Sequence, residues 1–224
     1  MLNRIITLDE VDSTNNYLKL NRGELPDGTL VTARIQTAGK GRRGHEWLAD
    51  QGMLPLSLLL KQPPHPDTLT LCAGVAVCEA LEPLLPGEEL GIKWPNDIIL
   101  HGHKLCGILC ESVCFGSSMD IVCGIGVNLA QTAEFFEKAN IPHGGSVEML
   151  TGVTINDRDK LAEDIAERLY SYSRSGFESV REKYVKRCLT VGKKIRIIEN
   201  GSEREAFAEG IAPNGFLSLI HISE

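Results

Sequence analysis

Apolar and polar positions recur at two spacings along this chain, and the spacing changes several times. Thr29 to Gln36 is β-branched and roughly alternating, which predicts a strand. Leu54 to Leu60 is a short, almost unbroken apolar run, read as a buried strand. Pro63, Pro64 and Pro66 then interrupt the chain ahead of a helix from about Asp67 to Leu81, whose Leu71, Val75, Cys78 and Leu81 fall at helical spacing. Pro83 and Pro86 close it. Three strand segments follow: Leu90 to Trp94, a hairpin from Asp97 to Leu100 through His101-Gly102-His103 into Leu105 to Ser112, and Met119 to Leu129.

Helical spacing returns over residues 157–175, where Leu161, Ile165, Leu169 and Tyr172 share a face. A shorter helix is expected from Phe177 to Cys188, with Val180, Tyr184 and Cys188 inward. Ser13 reads as the N-cap of an early helix running from Asn15 to Leu20. Thr37 to Gly52 has no period; it is glycine-rich and charged, a long loop of the kind that often carries function. After Thr190 short strands alternate with turns at Asn200-Gly201 and Asn214-Gly215, a small all-β appendix.

A chain of 224 residues suits one compact domain plus such an appendix. With 23 Lys and Arg against 30 Asp and Glu, the net charge is −7, which makes non-specific nucleic-acid binding by the whole molecule unfavourable. Any phosphate binding must come from a local basic patch. No apolar run approaches a transmembrane helix, and acidic residues appear by Asp9, which does not suit a signal peptide. Seven cysteines, mostly on predicted strands and without a C-x-x-C pair, point to a reducing, cytoplasmic setting.

Four segments could carry chemistry. Gly39-Lys40-Gly41-Arg42-Arg43-Gly44-His45-Glu46-Trp47 contains G-x-G-x-x-G, but no helix is predicted to open after it and no ribose-binding acid follows at the expected distance. Its glycines admit a ligand close to the backbone, and Lys40, Arg42 and Arg43 supply charge for a phosphate or acyl phosphate. The plain alternative is a solvated basic loop. Lys93-Trp94-Pro95-Asn96-Asp97 is either a hairpin turn or a site at a strand end. Lys104 opens the apolar Leu105–Glu111 segment, either as an edge-strand gatekeeper or as a cation for a carboxylate. Gly124-Ile125-Gly126-Val127-Asn128 is either a bulge or a strand approached closely by a ligand. His101, His103, Cys106 and Cys110 lack zinc-finger spacing, and the cysteines read as core thiols, so no metal ligands are assigned.

Together with Asp12-Ser13-Thr14-Asn15, the order and spacing of these segments resemble the biotin–protein ligase family, from about residue 5 to 220. The resemblance implies an α+β fold. A class II aminoacyl-tRNA-synthetase-like catalytic domain with a mixed sheet and helices would span residues 1–188, and a small SH3-like β-barrel 189–224. It implies that biotin and MgATP give biotinyl-5′-AMP, which then acylates one lysine of a biotin carboxyl carrier protein domain. By the same resemblance Arg42 bridges carboxylate and phosphate, Lys104 holds carboxyl and phosphoryl oxygens, and Asp97 receives or orients the incoming lysine. Ser13, Thr14 and Gln36 would hydrogen-bond the ureido ring, with Lys40, Gly107, Leu109, Gly124 and Gly126 around it. Arg42, Arg43, His45, Trp47 and Asn128 would meet the adenylate.

Two positions depart from the family pattern, which usually has Arg at Lys40 and at His45. Lys40 loses the planar fork, and His45 is mostly neutral at pH 7. The chain opens directly on the catalytic segment, so no repressor function is expected. The resemblance also admits a homodimer, paired edge to edge through the sheet. Three rival readings remain: lipoate or octanoate transfer on the same sheet, a biotin-binding module without turnover, and nucleic-acid binding through Lys193, Lys194 and Arg196, which the net charge disfavours.

Overall fold

The computed structural model describes residues 1–44, 47, 50–116, 118–199 and 201–221. Among these residues one mixed sheet holds seven strands: β1 (Arg4–Val11), β2 (Thr29–Gln36), β3 (Met53–Lys61), β4 (Gly91–Lys93), β5 (Asp97–Leu100), β6 (His103–Phe115) and β7 (Ser118–Asn128). Their spatial order is β1-β2-β3-β7-β6-β5-β4. β1 and β2 run parallel, and the other neighbours are antiparallel. The helices are α1 (Thr14–Asn21), α2 (Leu69–Leu81), α3 (Ala133–Lys138), α4 (Val147–Thr151), α5 (Arg158–Ser175) and α6 (Arg181–Arg187).

The sheet is covered on both faces, which explains the unbroken apolar run of β3. Leu54, Leu56, Leu58 and Leu60 point to one face and join the main core beneath α2 and α5. Leu59 points to the other, where it packs with Leu18 of α1, Val31 and Val122. α2 is apolar nearly all round because it lies between the sheet and α5. α5 buries one stripe, Leu161, Ala162, Ile165, Ala166, Leu169 and Ser173, and Asp157 caps its N-terminus by accepting from the Lys160 N–H.

Several elements differ from the sequence reading. The helix expected over Phe177 to Cys188 is two pieces, a 3-10 turn Phe177–Ser179 and α6, separated at Val180. Val180 leaves helical geometry so that Phe177 and Tyr184 both enter the core, ring centroids 5.6 Å apart. The helix expected from Asp67 begins as a 3-10 turn, Pro66–Thr68, before α2. β1, α3 and α4 were not expected. Cys72 and Cys78 lie on α2, as the helix expected there implies, whereas Cys110, expected as a core thiol, is only half-buried.

The C-terminal segment forms a separate antiparallel sheet of β8 (Lys194–Glu199), β9 (Ser202–Ile211) and β10 (Leu217–His221), in the order β10-β9-β8. It is tied to the larger sheet at defined points. Ile211 enters the main core, the Arg181 guanidinium donates twice to the Ile211 carbonyl (3.0 and 2.8 Å), and the Trp94 indole N–H donates to the Gly215 carbonyl at 3.1 Å. No helix among the described residues is long and apolar enough to cross a membrane.

Candidate active site

The site is built on the sheet face opposite α2. Side chains alternate faces along a strand, so Gly107 of β6 and Gly124 and Gly126 of β7 share that face; Gly107 pairs with Gly126 and Leu109 with Gly124. The register runs through them without a shift, so they are not a bulge. A Cβ on Gly126 would lie 2.5 Å from the Trp47 indole nitrogen, and one on Gly107 2.7 Å from the same ring. One on Gly124 would lie 2.3 Å from the Asn15 amide oxygen. The three glycines therefore form a bare backbone floor on which Trp47 and α1 rest.

The N-terminus of α1 forms the adjoining wall. Ser13 is its N-cap, accepting from the Asn16 N–H. The Thr14 N–H donates to Gln36 Oε1 at 3.0 Å, and the Thr14 hydroxyl lies 3.2 Å from the same oxygen. Asn15 Nδ2 donates to the Leu109 carbonyl and to Glu111 Oε2 at 2.8 Å. Burial alone would raise the Glu111 carboxyl, but hydrogen bonds from Lys19 and Asn15 hold it below its usual range. A cavity of about 60 Å³ lies between wall and floor, lined by Ser13, Thr14, Gln36, Lys40, Arg42, Trp47, Leu109 and the three glycines. The Lys40 ammonium donates to Asn16 Oδ1 at 3.3 Å.

Cations stand at the cavity's open end. Arg42, in the 3-10 turn Arg42–Gly44, donates to Asn96 Oδ1 at 2.9 Å. Asn96 is itself fixed to β6, its side chain donating to the Ile108 carbonyl and its carbonyl accepting from the Ile108 N–H. The Lys104 ammonium is 2.8 Å from Asp97 Oδ1 and 5.1 Å from the Trp47 ring centroid. β6 lies between β7 and β5, so Lys104 is not an edge-strand gatekeeper. Lys93 and Asp97 pair across the hairpin, and Trp94 to Asp97 line the site.

A second cavity of about 620 Å³ continues from the first, sharing Gly41, Arg42, Trp47, Asn96 and Lys104 with it. Trp94, Asp97, Asn128, Phe135 and Phe136 line its far side. Asn128 holds this wall in place, donating to the Lys104 and Gly145 carbonyls and accepting from Gln131. Phe135 and Phe136, edge to face at 5.3 Å, had no signal in the sequence beyond being a lone aromatic pair. The glycine loop leads into a 3-10 turn rather than an α-helix, in line with rejection of a dinucleotide fold. Arg43 shares the turn with Arg42, but its side chain, like all of His45, lies outside the described residues. Lys193, Lys194 and Arg196 line a further groove of about 970 Å³ that shares Trp94, Asp97 and Lys104 with the second cavity.

The sequence model of the biotin/lipoate A/B protein ligase family matches residues 8–128. A biotin–[acetyl-CoA-carboxylase] ligase of Paracoccus denitrificans is 36% identical over 225 residues, covering 95% of this chain and 92% of that protein. One from Mycobacterium tuberculosis is 32% identical over 204 residues, covering 86% and 73%. Among solved structures, the biotin protein ligase of Aquifex aeolicus in complex with biotin and ATP superposes with a TM-score of 0.80 at 27% identity, covering 99% of this chain and 96% of that one. A glycine-floored cavity opening past two cations into a larger one is thus accompanied by family-level similarity over most of the chain, which belongs to the biotin/lipoate A/B protein ligase family, among its biotin–protein ligases.

Proposed function

We propose that this protein activates biotin with MgATP to biotinyl-5′-AMP and transfers the biotinyl group to a lysine of a carrier domain. The observation that carries this reading is the shared rim of the two cavities, where Arg42 and Lys104 stand. The first step joins two anions, and only fixed cations at their meeting point make that approach favourable. A biotin carboxylate oxygen attacks the α-phosphorus, the bond to the bridging oxygen breaks, and pyrophosphate leaves. Arg42 and Lys104 neutralise carboxylate and phosphate as they meet. Magnesium enters with the triphosphate as part of the substrate.

The ring system occupies the smaller cavity, with Ser13, Thr14 and Gln36 offering hydrogen bonds and the glycines allowing flat contact. The adenylate extends into the larger cavity, between Trp94 and the Phe135–Phe136 wall. In the second step the neutral amine of the carrier lysine attacks the acyl carbon, an amide bond forms and AMP leaves. Asp97, at the edge of this cavity, accepts the amine proton. The acceptor in this reading is a biotin carboxyl carrier domain, which the relatives named for acetyl-CoA carboxylase support.

The architecture fits a class II synthetase-like catalytic domain over 1–188 with an SH3-like module over 189–224. The separate antiparallel sheet β8–β10 supports that division. ATP–pyrophosphate exchange with biotin, lipoate and octanoate as separate acids tests the reading. Exchange dependent on biotin alone is expected. Exchange with lipoate or octanoate instead would overturn the substrate, and none with any acid would overturn the activity.

A further inference from the structure

From Thr14 and Asn15 on the wall of the small cavity a polar chain runs to Ser57 and Glu111, and its hydrogens can be placed by counting. Asn15 Nδ2 is held by two groups that only accept, the Leu109 carbonyl and the Glu111 carboxylate. Its amide oxygen must therefore face Ser57 Oγ, 2.6 Å away. An amide oxygen only accepts, so the single Ser57 proton goes to Asn15. Ser57 Oγ is also 2.7 Å from Thr14 Oγ1, a separation that requires a proton between them. With the Ser57 proton committed, that proton comes from Thr14. The 3.2 Å contact from Thr14 Oγ1 to Gln36 Oε1 is the longer of the two, and Gln36 Oε1 already accepts the Thr14 N–H.

We propose that Glu111, acting through Asn15 and Ser57, turns the Thr14 hydroxyl proton away from the cavity, so that Thr14 meets the ligand as an acceptor and selects an N–H of its cyclic urea. Glu111, Asn15 and Ser57 are then positioning residues for substrate choice; the inference rests on the biotin reading. Lys19, 2.8 Å from Glu111 Oε1, keeps the carboxylate charged and in place. The order runs over 96 residues of sequence, from the first helix to β6, and ends on one hydroxyl. A hydroxyl free to rotate would accept an N–H or donate to an oxygen equally well. A fixed one rejects a ligand with oxygen at that point, because two acceptors are then forced together.

The test compares biotin with an analogue in which one ureido N–H is replaced by oxygen, made at each of the two positions, in pyrophosphate exchange and by calorimetry. The wild type is expected to prefer biotin over the disfavoured analogue by about a hundredfold or more. Ser57→Ala frees the Thr14 proton, and Glu111→Gln lets the Asn15 amide reverse. Each is expected to shrink that preference at least about tenfold, raising KM for biotin while kcat and the KM for ATP stay within about twofold. Glu111→Asp, which keeps the carboxylate, is expected to restore part of it. Unchanged preference in both variants, with wild-type melting, overturns this inference and leaves the biotin reading standing. An equal loss of kcat, ATP affinity and biotin affinity also overturns it, because that marks a structural role only. A wild type that exchanges with no acid overturns the biotin reading and this inference with it.

Discussion

The Lys104 ammonium lies 2.8 Å from the Asp97 carboxylate, with Lys104 lining both cavities and Asp97 the larger one. The pair holds the cation at the shared rim until substrate anions compete for it. Removing it by Lys104→Ala is expected to lower kcat for pyrophosphate exchange by about 10²–10³ while the fold is kept. Exchange kinetics beside a thermal melt check both halves. Wild-type exchange in a folded variant would remove Lys104 from the chemistry.

Asp97→Asn separates the two steps. It leaves Lys104 cationic, so adenylate formation is expected to stay within about tenfold of wild type. Transfer to the carrier is expected to fall further, by about 10²-fold, because no carboxylate takes the amine proton. Residual transfer should rise with pH, following the fraction of lysine that is already neutral, with a midpoint near 10.4 in a free side chain. Single-turnover transfer from isolated biotinyl-5′-AMP across pH measures this. Equal losses in both steps would show that Asp97 only positions Lys104.

Gly126→Ala places a methyl 2.5 Å from the Trp47 indole nitrogen, and Gly107→Ala one 2.7 Å from the ring. Trp47 must shift off the floor or the strands must part. Either closes the slot for a flat ring system, so the biotin Kd is expected to rise at least about tenfold with ATP affinity less affected. Calorimetric titration with biotin reads this directly. Unchanged biotin binding would place the ligand away from the glycine floor.

Much of this arrangement was legible because the sequence marks it locally. The alternation of Thr29–Gln36 predicts β2 with its observed limits, and Ser13 caps α1 as its position predicts. The glycines of β7 and the cations of the loop stand out by composition, and the fold brings them to one cavity. What escaped was either short or distant. β1 is an edge strand whose Ile6 and Leu8 alternate with polar residues and are only partly buried. α3 and α4 are too short to show a period, although Thr132 and Ser146 cap them. The Asn15–Glu111 link joins residues 96 positions apart, and no spacing rule connects them before the sheet brings β6 beside α1.

Trp94 links the catalytic sheet to the C-terminal one, its indole N–H donating to the Gly215 carbonyl and its backbone N–H donating to Thr190 Oγ1. Trp94→Phe keeps the aromatic wall of the larger cavity and deletes only the indole bond. The expected cost is about 1 kcal/mol, or a fall in Tm of about 2–4 °C for a chain of this size. Amide exchange at residues 212–216 should quicken by more than exchange in β3. Uniform exchange rates in the variant would show that the two sheets are held together elsewhere.

Glu79 gives a pH signature far from the site. Burial opposes its charge, but hydrogen bonds from Lys183 and Tyr172, with Arg168 nearby, hold its carboxyl below the usual range. A carboxylate depressed in the folded state binds a proton more readily when unfolded. Its stabilising contribution is therefore complete above the unfolded value of about 4.3 and disappears as pH falls through the lower folded value. Glu79→Gln should cost about 1–3 kcal/mol at pH 7, where it leaves three partners around a neutral amide. The gap between variant and wild type should narrow steadily below about pH 4. Denaturant unfolding of both proteins at pH 7 and at pH 3 provides the comparison. A gap that stays constant with pH would mean that packing between α2, α5 and α6, rather than the charge of Glu79, accounts for the difference.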